Sequence, residues 1–207
     1  MNAHCGTIPA SGVDDACIIL QASAEAKSGI SNVVITGTGR FSAQPEEEAP
    51  LKVQAEVLQE TYAPGGGRHH WPVQMHTVSV KPPGDIRNIK LNTYDVTLKP
   101  GEKTKIEVEF ERAPEMDKNV TLSANFQHLG NVFGNSMPPG VKVVDAESKI
   151  LVTGTETKGH LVLQAAPDAK PSPRMQVPIM AHISINFVMK LTFSSDPLFV
   201  TIAKAEE

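Results

Sequence analysis

The clearest pattern in the chain is strict alternation. Lys103 to Glu111 reads KTKIEVEFE, with Ile106, Val108 and Phe110 on one side and Lys105, Glu107, Glu109 and Glu111 on the other. A period of two predicts a strand with one dry and one wet face. Val120 to Phe126 repeats it, with Val120, Leu122, Ala124 and Phe126 in phase. Shorter runs at Ile86–Leu91, Asp95–Leu98, Val141–Val144, Ile150–Thr153, Gly159–Ala165, Gln176–Met189 and Phe199–Ile202 predict further strands. Turn signals separate them: Lys99-Pro100-Gly101-Glu102, the Gly/Asn/Pro-rich stretch 127–140, and Gly154–Gly159. No stretch carries a long i, i+3, i+4 apolar stripe with caps. The segment after Pro50 comes nearest, but Leu51, Val53, Ala55 and Val57 also fit a strand. A hairpin is expected there, with Val73–Val80 as partner and Gly65-Gly66-Gly67 as the tip. The expected fold is all-β, a sandwich of seven to nine strands.

An internal match adds to this. Cys17–Lys27 (CIILQASAEAK) and His160–Lys170 (HLVLQAAPDAK) align without a gap. Leu20, Gln21, Ala22, Ala26 and Lys27 recur as Leu163, Gln164, Ala165, Ala169 and Lys170. Each copy leads through a small-residue turn to another apolar strand, Asn32–Ile35 and Gln176–Ile179. The spacing of about 140 residues suits one large sandwich domain. The expected organisation is therefore a partial β domain over 1–80, a Pro-rich linker over 81–84 and a complete domain over 85–207. The partial domain would be the C-terminal half of a repeat. That reading makes the chain a fragment or gives it a mis-assigned start.

Composition bounds the rest. The formal charge is -4 and Lys and Arg are not clustered, so no nucleic-acid surface is expected. No apolar run reaches the roughly 18–20 residues of a helical membrane span. The start MNAHCG has neither a basic n-region nor an apolar h-region, so no signal peptide stands on the chain as given. Either the protein is cytoplasmic or Met1 is not the true beginning. Cys5 and Cys17 are the two cysteines. They form one local disulfide in an oxidising compartment, or they are two unpaired thiols.

The most site-like segment is Gly65-Gly66-Gly67-Arg68-His69-His70-Trp71. Arg68, His69, His70 and Trp71 are the candidate ligand-binding residues, suited to an anion or a sugar ring. Adjacent strand histidines face opposite sides, which disfavours a shared metal ion. The segment lacks the GK[ST] ending of a phosphate loop. His76, His160 and His182 read as strand residues. Glu46-Glu47-Glu48 reads as a solvated loop. Residues 126–141, with Phe126, Phe133, Asn135 and Met137, read as a long polar connection able to bind a ligand or to close the core. No G-x-S-x-G elbow or H-E-x-x-H motif occurs, and no metal, cofactor or catalytic residue is expected.

Leu98-Lys99-Pro100-Gly101 before an alternating strand ending Phe110-Glu111-Arg112 resembles the opening of bacterial Ig-like modules. Met137-Pro138-Pro139-Gly140-Val141 fits the same pattern. The set is similar to tandem Ig-like repeats in very large exported proteins, such as those abundant in planctomycetes. The resemblance covers 84–203, and the N-terminal part only through the internal match. It implies a non-catalytic structural or interaction module of an extracellular or cell-envelope polypeptide. Its partners would be neighbouring domains, a cell-surface protein or a polysaccharide. The alternatives are a carbohydrate- or surface-binding domain working through the Trp71 loop, and an accessory domain of an exported hydrolase.

Overall fold

The computed structural model of the chain describes residues 1–8, 15–40, 49–63, 66–73, 75–128, 131–186 and 189–204. These residues fall into two units, Met1–Ser23 together with Pro83–Glu207, and Ala24–Pro82. The division at Pro82/Pro83 lies within the expected linker. The first 23 residues group differently from the expectation, which joined them to 24–80. The reason lies in Gln176, a side chain almost wholly buried in the larger unit. Its Nε2 donates to His4 O at 2.9 Å and to Cys17 O at 3.1 Å. Gln21 also donates to the Asp196 carboxylate at 3.1 Å.

The chain opens with an antiparallel pair, β1 (Asn2–Cys5) and β2 (Ile18–Gln21). Unit 24–82 then contains three antiparallel pairs. The first joins β3 (Gly29–Val33) to β8 (His76–Val80). The second joins β4 (Thr36–Gly39) to β5 (Leu51–Gln54), and the third β6 (Val57–Ala63) to β7 (Gly67–Val73). A hairpin does follow Pro50, but its arms are β6 and β7. The stretch from Val73 to Val80 is divided, and β8 turns back to β3. No residue of this unit is buried among those described, as expected of two-stranded ribbons, which have no second layer.

The larger unit continues with β9 (Ile86–Leu91), β10 (Asp95–Leu98), β11 (Lys103–Arg112) and β12 (Val120–Ser123). A short pair follows, β13 (Phe126–His128) with β14 (Asn131–Gly134). Then come β15 (Val141–Val143), a single 3-10 turn at Asp145–Glu147, β16 (Leu151–Val152) and β17 (Lys158–Ala165). The last four are β18 (Ser172–Val177), β19 (Met180–Ser184), β20 (Lys190–Ser194) and β21 (Leu198–Ile202). They form sheets in the orders β15-β17-β11-β9, β16-β12-β19-β20 and β10-β21-β18. All pairings are antiparallel except β10 with β21.

The architecture is all-β and sandwich-like. Ile106, Val108 and Phe110 of β11 and Leu161 and Leu163 of β17 are buried in one core with Val120, Leu122, Val177, Ile179, Ala181, Ile183, Leu198, Val200 and Ile202. Burying each such side chain contributes on the order of 1.5–3 kcal/mol. The polar phase of β11 stays wet. Lys105 pairs with Glu107 at 3.0 Å, and Glu109 with Lys158 at 3.3 Å.

Two further expectations change. The run Gln176–Met189 breaks at Pro178, which has no N–H for a ladder. There the chain steps from β21 to a new pair of neighbours, β12 and β20. The stretch 127–140 is not a plain connection. It contains most of the β13–β14 pair, and Met137 closes into the core.

Candidate functional site

The segment singled out by its chemistry sits on β7. Across the pair, Arg68 lies opposite Tyr62, His69 opposite Thr61, His70 opposite Glu60 and Trp71 opposite Gln59. Successive strand residues point to opposite faces. His69 and Trp71 therefore share one face with Thr61 and Gln59, and His70 lies on the other. His69, His70 and Trp71 do not converge. Trp71 is 61% exposed, and His69 and His70 are exposed as well. The side chain of Arg68 lies outside the described residues, as do Gly65 and Glu46-Glu47-Glu48. At the tip, Gly66 has φ +90°, a left-handed conformation that suits glycine. The result is an aromatic surface on a solvated ribbon, able to stack on a flat or ring-shaped partner. Among the described residues, no three His, Cys, Asp or Glu side chains are grouped to hold a metal ion.

The larger unit contains a cleft of about 470 Å³ over the outer face of β19 and β20. Ile18 and Leu20 of β2 form one wall and Phe126 and Phe133 the other, with Met180, Thr192 and Ser194 between them. The two phenylalanine rings meet edge to face, centroids 6.3 Å apart. Asp15 ties the walls together, accepting from the Asn135 amide at 3.0 Å. The hydroxyl groups on the floor are already engaged. Thr192 Oγ1 meets His182 Nδ1 at 2.8 Å, and Ser194 donates to Ser195 O at 3.1 Å. Ser136, at the edge of the cleft, is buried with its Oγ unpaired. A cleft of this size and mixed lining suits a small ligand or an apolar side chain. The sequence had marked Phe126 and Phe133. It had not marked Ile18 and Leu20, because nothing local shows that β2 leaves 24–82 and packs here.

The remaining candidates stand apart from the β7 segment. His182 is 6% exposed, and burial, helped by the Lys190 charge, pushes its imidazole down to about 4. Its Nε2 is buried without a partner. The ring thus has a hydroxyl on one nitrogen and no orienting acid on the other, unlike a catalytic triad. His160 Nε2 lies 3.1 Å from Glu147 O, and His76 is half-buried on β8. Cys5 and Cys17 are free thiols. Cys5 lies opposite Ile18, so Cys17, one residue earlier, points to the other face of the ribbon, where its thiol donates to Gln176 O at 3.5 Å. Arg112 bonds to several carbonyls at the core rim. It donates to Glu156 O at 2.6 Å and to Lys118 O at 2.7 Å.

No protein-family model matches the chain, and no curated protein matches it.

Proposed function

We propose that the chain is a non-catalytic structural and interaction module of a larger extracellular or cell-envelope polypeptide, built on an Ig-like sandwich. The observation that carries this reading is the strand order of 83–207. In an Ig-like domain, strands A, B, E and D form one sheet and C, F and G the other. Here β9, β11, β17 and β15 take the places of A, B, E and D. β12 is C, the stepped pair β18–β19 is F and β20–β21 is G. The parallel β10–β21 pair is the short switch of the first strand onto the second sheet. Fractionation of source cells with an antibody against the chain tests the placement. The protein is expected in the envelope or the medium. Recovery from the cytosol alone would sink it.

A second reading, a carbohydrate- or surface-binding role for β6–β7, is favoured by one feature, the exposed Trp71 ring beside His69 on a single strand face.

A further inference from the structure

Two ribbons of this chain are paired in one register. In the larger unit Met175 lies opposite Val200, Gln176 opposite Phe199 and Val177 opposite Leu198. In 24–82 Ser31 lies opposite Val78, Asn32 opposite Thr77 and Val33 opposite His76. Each ribbon then steps. Past the step, Met180, Ala181, His182 and Ile183 face Ser194, Phe193, Thr192 and Leu191. Thr36, Gly37, Thr38 and Gly39 face Gln54, Val53, Lys52 and Leu51 in the same order. One hydrogen bond spans each joint, Ser195 N to Ile179 O at 2.9 Å and Ala55 N to Ile35 O at 2.9 Å. Val177, Ile179 and Met180 thus correspond to Val33, Ile35 and Thr36. The sequence match of His160–Lys170 with Cys17–Lys27 precedes it, and one extra residue in the longer connection after Lys170 shifts the one into the other. The two ribbons differ in length at two places, the tip between Gly39 and Leu51 against that between Ile183 and Leu191, and the stretch after the joint. Asp196 and Pro197 alone separate the joint from β21, whereas residues 56–75, carrying β6 and β7, separate it from β8.

A shared hairpin register alone would be weak evidence, since turn length fixes it. Here the step, the bridging bond and the preceding sequence all agree. We infer that 24–82 is a second copy of the β18–β21 ribbon, and that its inner face is a docking surface for an antiparallel sheet patterned like residues 86–159. In the larger unit that face, Val177, Ile179, Ala181, Leu198 and Val200, lies in the core with β11 and β17. Its counterparts are Val33, Ile35, Gly37, His76 and Val78. Gly37 is exposed and the other four are half-buried, and Val53, which corresponds to Phe193, is 54% exposed. The occupant is set by the duplication: strands alternating as Ile106, Val108 and Phe110 do, with their apolar phase turned inward. The sheet β15-β17-β11-β9 of another copy is already covered by that copy's own ribbon, so the strands come from a separate stretch of polypeptide. This deepens the module reading but rests on the register, the step and the sequence match rather than on where the protein is found. Cytosolic recovery of the protein would leave it standing, and its own failure would leave 83–207 a module.

Hydrogen exchange on a fusion tests it. A second copy of residues 84–159 is inserted between Ala16 and Cys17 of the full chain, reproducing the natural junction into His160. Without the insertion, amides of β3 and β8 are expected to exchange at least about 100-fold faster than those of β18 and β21. The insertion slows them about tenfold or more, and Val33→Asp with Val78→Asp abolishes the gain without altering 172–202. Unchanged exchange in the fusion, or equal protection of both ribbons before it, overturns the inference. A second measurement does not depend on the fusion folding. Val33→Asp with Val53→Asp in the ordinary chain should cut binding of an apolar fluorescent dye by about half and leave the melting transition in place. Undiminished dye binding overturns the inference too.

Discussion

His182 meets Thr192 across β19 and β20, imidazole Nδ1 to hydroxyl Oγ1 at 2.8 Å. The ring is buried, and its pKa is pushed down to about 4 from 6.5. The folded protein therefore resists protonation that the unfolded chain accepts. Above pH 6.5 both states hold a neutral ring, and the group has no effect on the pH dependence. Between pH 6.5 and 4 the unfolded state binds the extra proton, so stability falls as pH drops. The loss should approach about 2–3 kcal/mol by pH 4, since each tenfold difference in proton affinity between the two states is worth about 1.4 kcal/mol. Urea midpoints measured from pH 7.5 to 4 would show the decline. His182→Leu should flatten this part of the profile. An unchanged slope in that variant would assign the decline to other groups.

Gly159 is the second residue of β17, opposite Val108. A Cβ there would sit 2.7 Å from Leu122 Cδ1 and 2.7 Å from the Lys149 carbonyl oxygen, with Val152 Cγ2 at 2.9 Å. The carbonyl is backbone and cannot swing away. Gly159→Ala is expected to lower stability by about 1–3 kcal/mol through overpacking. Gly154 in the adjacent turn has open space around it but φ +54°, so Gly154→Ala should cost about 1 kcal/mol through backbone strain. Denaturant melts of the two variants would separate crowding from strain.

The alternation of β11 could be read from the chain because both of its faces obey one local rule. The short extended runs Ile86–Leu91 and Asp95–Leu98 also begin and end where they were read. What could not be read was partnership. Val73–Val80 carries no mark that its second half returns to Gly29–Val33. Strand β20 was also missed, since Lys190, Thr192 and Ser194 alternate with only two apolar residues, Leu191 and Phe193. At the candidate site, Trp71 and its neighbours were found by residue type. Their failure to converge follows from strand alternation, which the adjacent histidines had already signalled. The Ile18–Phe133 cleft needed the third dimension, because its walls are more than a hundred residues apart.

Gln176 holds the N-terminal hairpin by two carbonyls, His4 O and Cys17 O. Gln176→Ala removes both bonds, while Cys17 O keeps its bond from Gly6 N at 2.9 Å. The cost should be about 1–3 kcal/mol, concentrated on 2–21 rather than on the core. Thiol labelling reads this locally. Cys5 is exposed and should react rapidly in both proteins. Cys17, half-buried with its thiol directed at Gln176 O, should react slowly in the parent and several-fold faster in the variant. Equal rates in the two would mean that Gln176 does not anchor the hairpin.

Trp71 is the only tryptophan of the chain, so its fluorescence reports on the β6–β7 ribbon alone. At 61% exposure it should be quenched by acrylamide nearly as readily as the unfolded chain. Trp71→Ala should leave the melting of the larger unit unchanged within about 0.5 kcal/mol, as for surface substitutions generally. Titration with soluble polysaccharides then decides between the two functional readings. A structural module predicts a spectrum that does not move. A saturable blue shift with loss of acrylamide quenching would mean that the ring stacks on a sugar face. Binding should then vanish in Trp71→Ala, read by retention on the immobilised polysaccharide rather than by fluorescence. In that case the insertion of 56–75 into a duplicated ribbon would be the event that gave the chain a ligand.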